Sequence, residues 1–295
     1  MSNLKPVHLY SVEGNRQWLD GGAMYGNAPK AIWEKWSKPD ERNRIALSCR
    51  CLLVEIGGRK ILCETGIGSF FEPKLAERFG VENADRHVLL ENLKKIGVSP
   101  DEIDFVVLSH LHFDHAGGLL PNYNEIVKTG ARLVFNSAKF LVSKEAWERA
   151  QNPHPRDKAS FVPEIVRLLK ESGRLQIVNG KTHPGFFEEQ ISFLYSHGHT
   201  PGQMHTMIKG PNTSILFAGD LVPGTQWVHS AITMGYDRNP ELVIDEKINV
   251  YADLTQNQSW IFYTHDTEYC ASQIQKTESR YEALNAVKAF TGTII

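Results

Sequence analysis

The chain has 295 residues, 41% of them hydrophobic and 22% charged, with a formal net charge of −2. Both signs of charge are interspersed, which leaves no basic face for nucleic acid or an anionic membrane, and no apolar run reaches the roughly 18 residues of a membrane span. The opening MSNLKPVHLY has no apolar core followed by a small-residue cleavage site, so a cytoplasmic location is expected, and four cysteines without a CxxC pair fit reduced thiols.

One domain over 1–295 is expected, with 1–45 as an N-terminal extension and loop. Residues 20–45 are punctuated by Gly and Pro and carry Trp33 and Trp36. A strand at 47–56, a turn at Gly57-Gly58 and a strand at 59–64 read as a hairpin. In 85–96, Val88, Leu89, Leu93 and Ile96 fall at helical spacing, with Gly97 at the C-terminus. Helices are also expected at 138–149, 160–171 and, after Asn239-Pro240, at 240–256. Short apolar runs recur at 105–109, 132–136, 174–178, 191–196, 213–219 and 260–264. Hairpins first and strands alternating with helices later imply an α/β chain, with sheets covered by helices.

The chemistry concentrates in His110-Leu-His112-Phe-Asp114-His115. Imidazole nitrogen and carboxylate oxygen suit zinc and related divalent cations, and four such groups within six residues can wrap two ions. His110 and His112 can face one ion while Asp114 and His115 turn towards a second. At the frequency of His and Asp in this chain, chance supplies such a pattern in on the order of one chain in a thousand. More candidates follow other apolar runs: His199 after 191–196, Asp220 after 213–219 and His265 after 260–264. Buried strands can deliver all four stretches to one edge, where binding groups commonly collect.

HLHFDHAGG resembles the HxHxDH motif of the metallo-β-lactamase superfamily. GHTPGQ resembles the loop with its next histidine, and AGD at 218–220 and TH at 264–265 match the remaining ligand motifs in order. The resemblance covers roughly residues 47–270. It implies an αββα sandwich of two mixed sheets flanked by helices, with the metals at one edge. It further implies His110, His112 and His199 on one metal, Asp114, His115 and His265 on the other, and Asp220 bridging. Two divalent cations are the implied cofactors, zinc first, with manganese, iron or cobalt compatible with the same donors. Water between two such cations loses a proton near neutral pH and becomes a nucleophile. The resemblance also makes Asp114 the residue that passes a proton to the leaving oxygen.

Two departures stand out. The family's strand-end Asp-Thr-Gly is Glu64-Thr65-Gly66 here, and a carboxylate one methylene longer should support a different ligand or shift the backbone. Glu64 is not expected to be a ligand itself. Related lactonases often carry a Tyr soon after the bridging Asp, but LVPG occupies that stretch, so Tyr236 is the candidate replacement. His112 argues against flavodiiron-type oxygen chemistry, and the 30 residues after His265 are too few for a glyoxalase II helical domain.

The segment DGGAMYGNAPKAIWEKW, with ERNRI, resembles part of a subgroup of quorum-quenching N-acyl homoserine lactonases, and WVHSAITMGYDRNPE resembles the insert after the bridging Asp in related hydrolases. Met24, Tyr25, Trp33, Trp36, Phe113, Trp227 and Met234 are candidates to roof an apolar pocket. The expected activity is hydrolysis of a lactone or ester. Phosphoester or organophosphate hydrolysis and a non-hydrolytic metal-binding sensor are the alternatives. The expected partner is a small-molecule substrate, not nucleic acid or membrane, with a homodimer left open.

Overall fold

A computed structural model describes residues 4–295. Its strands, in chain order, are β1 (Val7–Glu13), β2 (Gln17–Asp20), β3 (Arg44–Leu47), β4 (Arg50–Ile56), β5 (Arg59–Cys63), β6 (Phe105–Val107), β7 (Lys139–Ser143), β8 (Leu175–Val178), β9 (Ile191–Ser196), β10 (Gln203–Lys209), β11 (Ser214–Phe217), β12 (Trp260–Phe262), β13 (Ala271–Lys276), β14 (Tyr281–Val287) and β15 (Thr291–Ile294). They form a seven-stranded sheet, β15-β1-β4-β5-β6-β7-β8, a six-stranded sheet, β14-β13-β12-β11-β10-β9, and the separate pair β2-β3.

Both large sheets are mixed. β5 to β8 run parallel in the first, and β11 and β12 run parallel in the second. The β11–β12 crossover uses the helix Pro240–Gln256, as a parallel connection requires. Alternating side chains assign each strand two faces. Leu52, Val54, Ile61, Val107, Leu141, Phe193, Phe217 and Phe262 meet between the sheets. Leu53, Leu62, Val106 and Phe140 face helical residues Leu89, Leu93, Ile165 and Leu169 on one outer side. Leu216 and Ile261 face Val243, Tyr251 and Leu254 on the other. The result is helix, sheet, sheet, helix, the expected αββα sandwich.

Local chemistry explains the elements that match expectation. Gly57 and Gly58 have φ of +56° and +80°, the conformation a two-residue hairpin needs, and they join β4 to β5 with Ile56 opposite Arg59. The helix expected at 85–96 runs Val88–Lys95 and ends before Gly97, whose φ is +77°.

Other stretches differ. The helix expected at 138–149 is instead β7 followed by the helix Lys144–Gln151, with Ser143 Oγ capping Ala146 N–H at 3.0 Å. Phe140, Leu141 and Val142 are fully buried on both faces of a parallel strand, so their continuous apolarity mimics a helix interior. The run 132–136 forms no strand; Leu133, Val134 and Phe135 are buried beneath the helical layer as irregular chain.

Residues 4–45 are not a loose extension. β1 lies between β4 and β15 inside the large sheet, and 20–45 contains the short helices Gly21–Tyr25 and Lys30–Trp33. The strand expected at 47–56 is broken at Ser48 and Cys49, which separate β3 from β4. All four cysteines are buried and unpaired. No helix is long and apolar enough to cross a membrane among the described residues.

Candidate active site

The sandwich delivers the polar groups to one edge. β6 runs into His110 and the turn bearing His112, Asp114 and His115; β9 leads to His199, β11 to Asp220 and β12 to His265. The five imidazoles and Asp220 are all at least nine-tenths buried. Gly118 is required beside this turn, because a Cβ there would stand 2.0 Å from the Thr65 carbonyl oxygen.

The seven sequence candidates converge. His110, His112 and His199 form one group with donor atoms within 4.8 Å of one another; Asp114, His115 and His265 form a second. Asp220 stands between them. Its Oδ2 is 3.3 Å from His199 Nε2, and its Oδ1 is 3.2 and 3.1 Å from His115 and His265 Nε2.

Hydrogen bonds behind the rings fix which nitrogen faces the centre. Glu64, at a φ of +63°, accepts from His115 Nδ1 at 2.8 Å. Its other oxygen accepts from the Ser109 hydroxyl, whose oxygen accepts in turn from His110 Nδ1 at 2.9 Å. Asp237 accepts from His199 Nδ1 at 2.8 Å, and the Ser48 carbonyl accepts from His265 Nδ1 at 2.6 Å. In four imidazoles Nδ1 is thus taken up from behind and Nε2 is turned inward, the orientation a metal ligand needs. His112 is the reverse case, with Nδ1 facing His199 Nε2 at 3.3 Å.

The donor set fits divalent cations. His110 Nε2 and Asp220 Oδ1 are buried without a hydrogen-bond partner, the nearby rings being misaligned for one. Buried polar atoms rarely stand unpaired, and converging nitrogen and carboxylate donors match borderline cations. The electrostatics agree. Burial, helped by neighbouring imidazoles, pushes His110 and His112 well below the usual histidine range. Burial also opposes charge on His115 and His265, but Asp220 overrides it and holds both well above that range. Asp220 is itself held well below the carboxylate range, against its own burial, by His115, His265 and His199. The cluster is built to accommodate positive charge around Asp220.

Glu64 also falls within donor distance of His110 and His115. Its oxygens are already engaged by Ser109 and His115 Nδ1, on the side of the rings away from Asp220, so it backs two of the candidate rings, His115 directly and His110 through Ser109. Sequence reasoning missed Asp237, Ser109, the Ser48 carbonyl and Gln203. Gln203 is buried with its amide best oriented so that the oxygen accepts from Asp220 N–H at 2.7 Å and Leu221 N–H at 3.1 Å. Asp266 organises its own loop, accepting from Glu268 and Tyr269 N–H at 2.9 and 2.8 Å. His197 is near half-exposed beside Glu145 and lies off the site.

A cavity of about 740 Å³ opens onto His112, Asp114, His199, Asp220 and His265. Of the proposed aromatic roof, Met24, Phe113 and Met234 line it. Tyr25, Trp33 and Trp227 instead stack on one another behind it, with Tyr25–Trp227 centroids 4.6 Å apart, and Trp36 is partly exposed. Four phenylalanines the sequence did not single out also line the cavity: Phe70, Phe71, Phe79 and Phe161. Phe79 and Phe113 centroids lie 4.5 Å apart. Tyr236 lines the same cavity.

The fold and this site define a metal-dependent hydrolase: residues 44–247 match the Metallo-beta-lactamase superfamily, and the chain belongs to that family. Among individual relatives it is 26% identical to "N-acyl homoserine lactonase AiiA" of Bacillus thuringiensis subsp. kurstaki, over 74% of this chain and 81% of that one. It is also 26% identical to "N-acyl homoserine lactonase AiiB" of Agrobacterium fabrum, over 66% of this chain and 68% of that one. A probable metal-dependent hydrolase from Staphylococcus aureus superposes with a TM-score of 0.85 at 24% identity, covering 99% of this chain and all of its own. AidC, a dizinc quorum-quenching lactonase, superposes at 0.76 with 20% identity, covering 96% and 95%. At those identities the structural likenesses speak to the fold alone.

Proposed function

We propose that the protein is a dinuclear metal-dependent lactonase whose substrates are N-acyl homoserine lactones or closely similar acyl lactones and esters. The observation that carries the dinuclear part is the Asp220 carboxylate, with one oxygen turned to His199 and the other to His115 and His265. His110, His112 and His199 would hold one cation, Asp114, His115 and His265 the other, with Asp220 shared; zinc is the expected metal. Such a pair supplies Lewis acidity towards a carbonyl and brings the pKa of water near neutral.

The chain's own groups do the rest. The phenylalanine wall takes an acyl chain out of water, which orients the ring end towards Asp220. Asp114 is the most exposed of the seven, with its side chain 13% accessible, and it lines the cavity. It is therefore placed to pass a proton to the leaving oxygen. Tyr236 is 42% exposed as a residue, yet partial desolvation of its hydroxyl and the charge of Asp114 push it up to about 12, so it stays protonated and can donate a hydrogen bond to the substrate oxygen. The lactonase names of the curated relatives support this substrate class.

Arg78 and Arg156 also line the cavity and give the phosphoester reading a specific foothold, since guanidinium groups suit phosphate oxygens. A parallel panel of acyl homoserine lactones of increasing chain length, aryl esters, phosphodiesters and phosphotriesters, run on zinc-loaded protein with metal content measured, separates the two. Lactone turnover that improves with acyl length supports the proposal. Turnover of phosphoesters with none of any lactone replaces it.

A further inference from the structure

We infer that Gln17, on the β2–β3 hairpin, is a positioning residue for Asp114 in the second of the two metal positions. The inference rests on the dinuclear reading above. Gln17 is fully buried on β2, and its Nε2 donates to Asp114 Oδ2 at 2.7 Å. Asp114 is held with Oδ1 and Oδ2 each 3.7 Å from the Nε2 of His115 and His265 respectively. A donor on one oxygen fixes the rotation of the carboxylate.

The hairpin reaches the same group of ligands a second time. Gln17 pairs with Leu47 across β2–β3, and the next residue, Ser48, offers the carbonyl that fixes His265 Nδ1. Two of the three residues in that group, Asp114 and His265, are therefore aligned from this hairpin. His110 and His199 depend instead on Ser109, Glu64 and Asp237.

Packing alone does not explain a glutamine here. Its Oε1 is buried with no partner among the described residues. Met or Leu would fill the space without leaving an acceptor unpaired. What the amide contributes here is its N–H donor to Asp114.

The test is stepwise zinc titration of metal-free protein by calorimetry, checked by elemental analysis, for wild type, Gln17→Met and Trp18→Phe. Trp18 anchors the same strand through Nε1 to Glu82 at 2.7 Å but does not touch Asp114, so its variant reports loosening of the strand alone. Wild type should take two equivalents. Gln17→Met should keep the first unchanged and bind the second about 10–100-fold more weakly, the usual effect of losing a ligand's supporting bond. Trp18→Phe should match wild type. The inference is overturned if Gln17→Met matches wild type, weakens both equivalents alike, or is reproduced by Trp18→Phe. A wild type that takes fewer than two equivalents overturns the dinuclear reading itself and this inference with it.

Discussion

Replacing Glu64 with Gln probes the tautomer network most directly, because it changes one atom and almost no volume. Both carboxylate oxygens accept, one from Ser109 Oγ–H and one from His115 Nδ1–H. A carboxamide accepts at one position and donates at the other, so one contact becomes donor against donor. If the amide nitrogen faces His115, that ring must move its proton to Nε2, the atom directed at Asp220. If it faces Ser109, the hydroxyl reverses and donates to His110 Nδ1, which forces the proton of His110 onto Nε2. Either way one inward nitrogen loses its lone pair.

The penalty can be bounded. Hydrogen bonds to a charged group contribute about 1.5–3 kcal/mol, and tenfold in affinity corresponds to about 1.4 kcal/mol. Losing one such bond predicts metal affinity down by roughly 10–100-fold, the range also found for residues that support ligands from behind. Zinc affinity measured by chelator competition on wild type and Glu64→Gln gives the number. The melting temperature of the metal-free proteins shows whether the variant is folded. A folded Glu64→Gln with wild-type affinity for both equivalents refutes the assignment of protons to Nδ1.

Asp220→Asn should cut bound zinc from two equivalents to one or none and abolish hydrolysis; elemental analysis returning two equivalents contradicts the bridging role. Tyr236→Phe should lower kcat by about 100–1,000-fold with metal content unchanged, the scale of losing one aimed donor. A kcat equal to wild type removes Tyr236 from catalysis. Lys247 is fully buried, and burial lowers its ammonium from the usual 10.5 to about 8 against the pull of Asp237. The unfolded chain therefore holds more protons between those values, and the stability of wild type relative to Lys247→Met should rise by up to about 3 kcal/mol as the pH climbs through that window. Urea unfolding of both proteins across the window that gives a flat or falling difference contradicts it.

The parts of this protein that were legible in the sequence share one property: their signal is local. His110, His112, Asp114 and His115 lie within six residues, and Gly57-Gly58 names its own turn. The helix Pro240–Gln256 also starts at the Asn239-Pro240 signal, with Asn239 capping Leu242 N–H at 3.3 Å. What escaped was set by partners distant in sequence. β7 is a strand because β6 and β8 flank it, which its own apolar run cannot reveal. β13, β14 and β15 are partly exposed and lack a continuous apolar run, and their pairing with β12, β13 and β1 respectively makes them strands. Asp237 sits 38 residues from the ring it orients, and nothing in GYDRNP distinguishes it from a turn residue.

The inward donors come from the recognisable motifs, but their alignment depends on segments with no motif. Segment 225–237 brings Asp237 to His199, and it is anchored twice. Lys247 donates to the Trp227 and Ile232 carbonyls at 3.0 and 2.6 Å, and Trp227 Nε1 donates to the Met24 carbonyl at 2.9 Å while its ring stacks on Tyr25. Met24 and Met234 then line the cavity from the two sides of that junction. The N-terminal segment and the segment after Asp220 therefore form one packed unit that both lines the cavity and orients the His199 ring. A change in the aromatic stack should alter substrate binding and metal affinity together, because the same contacts carry both.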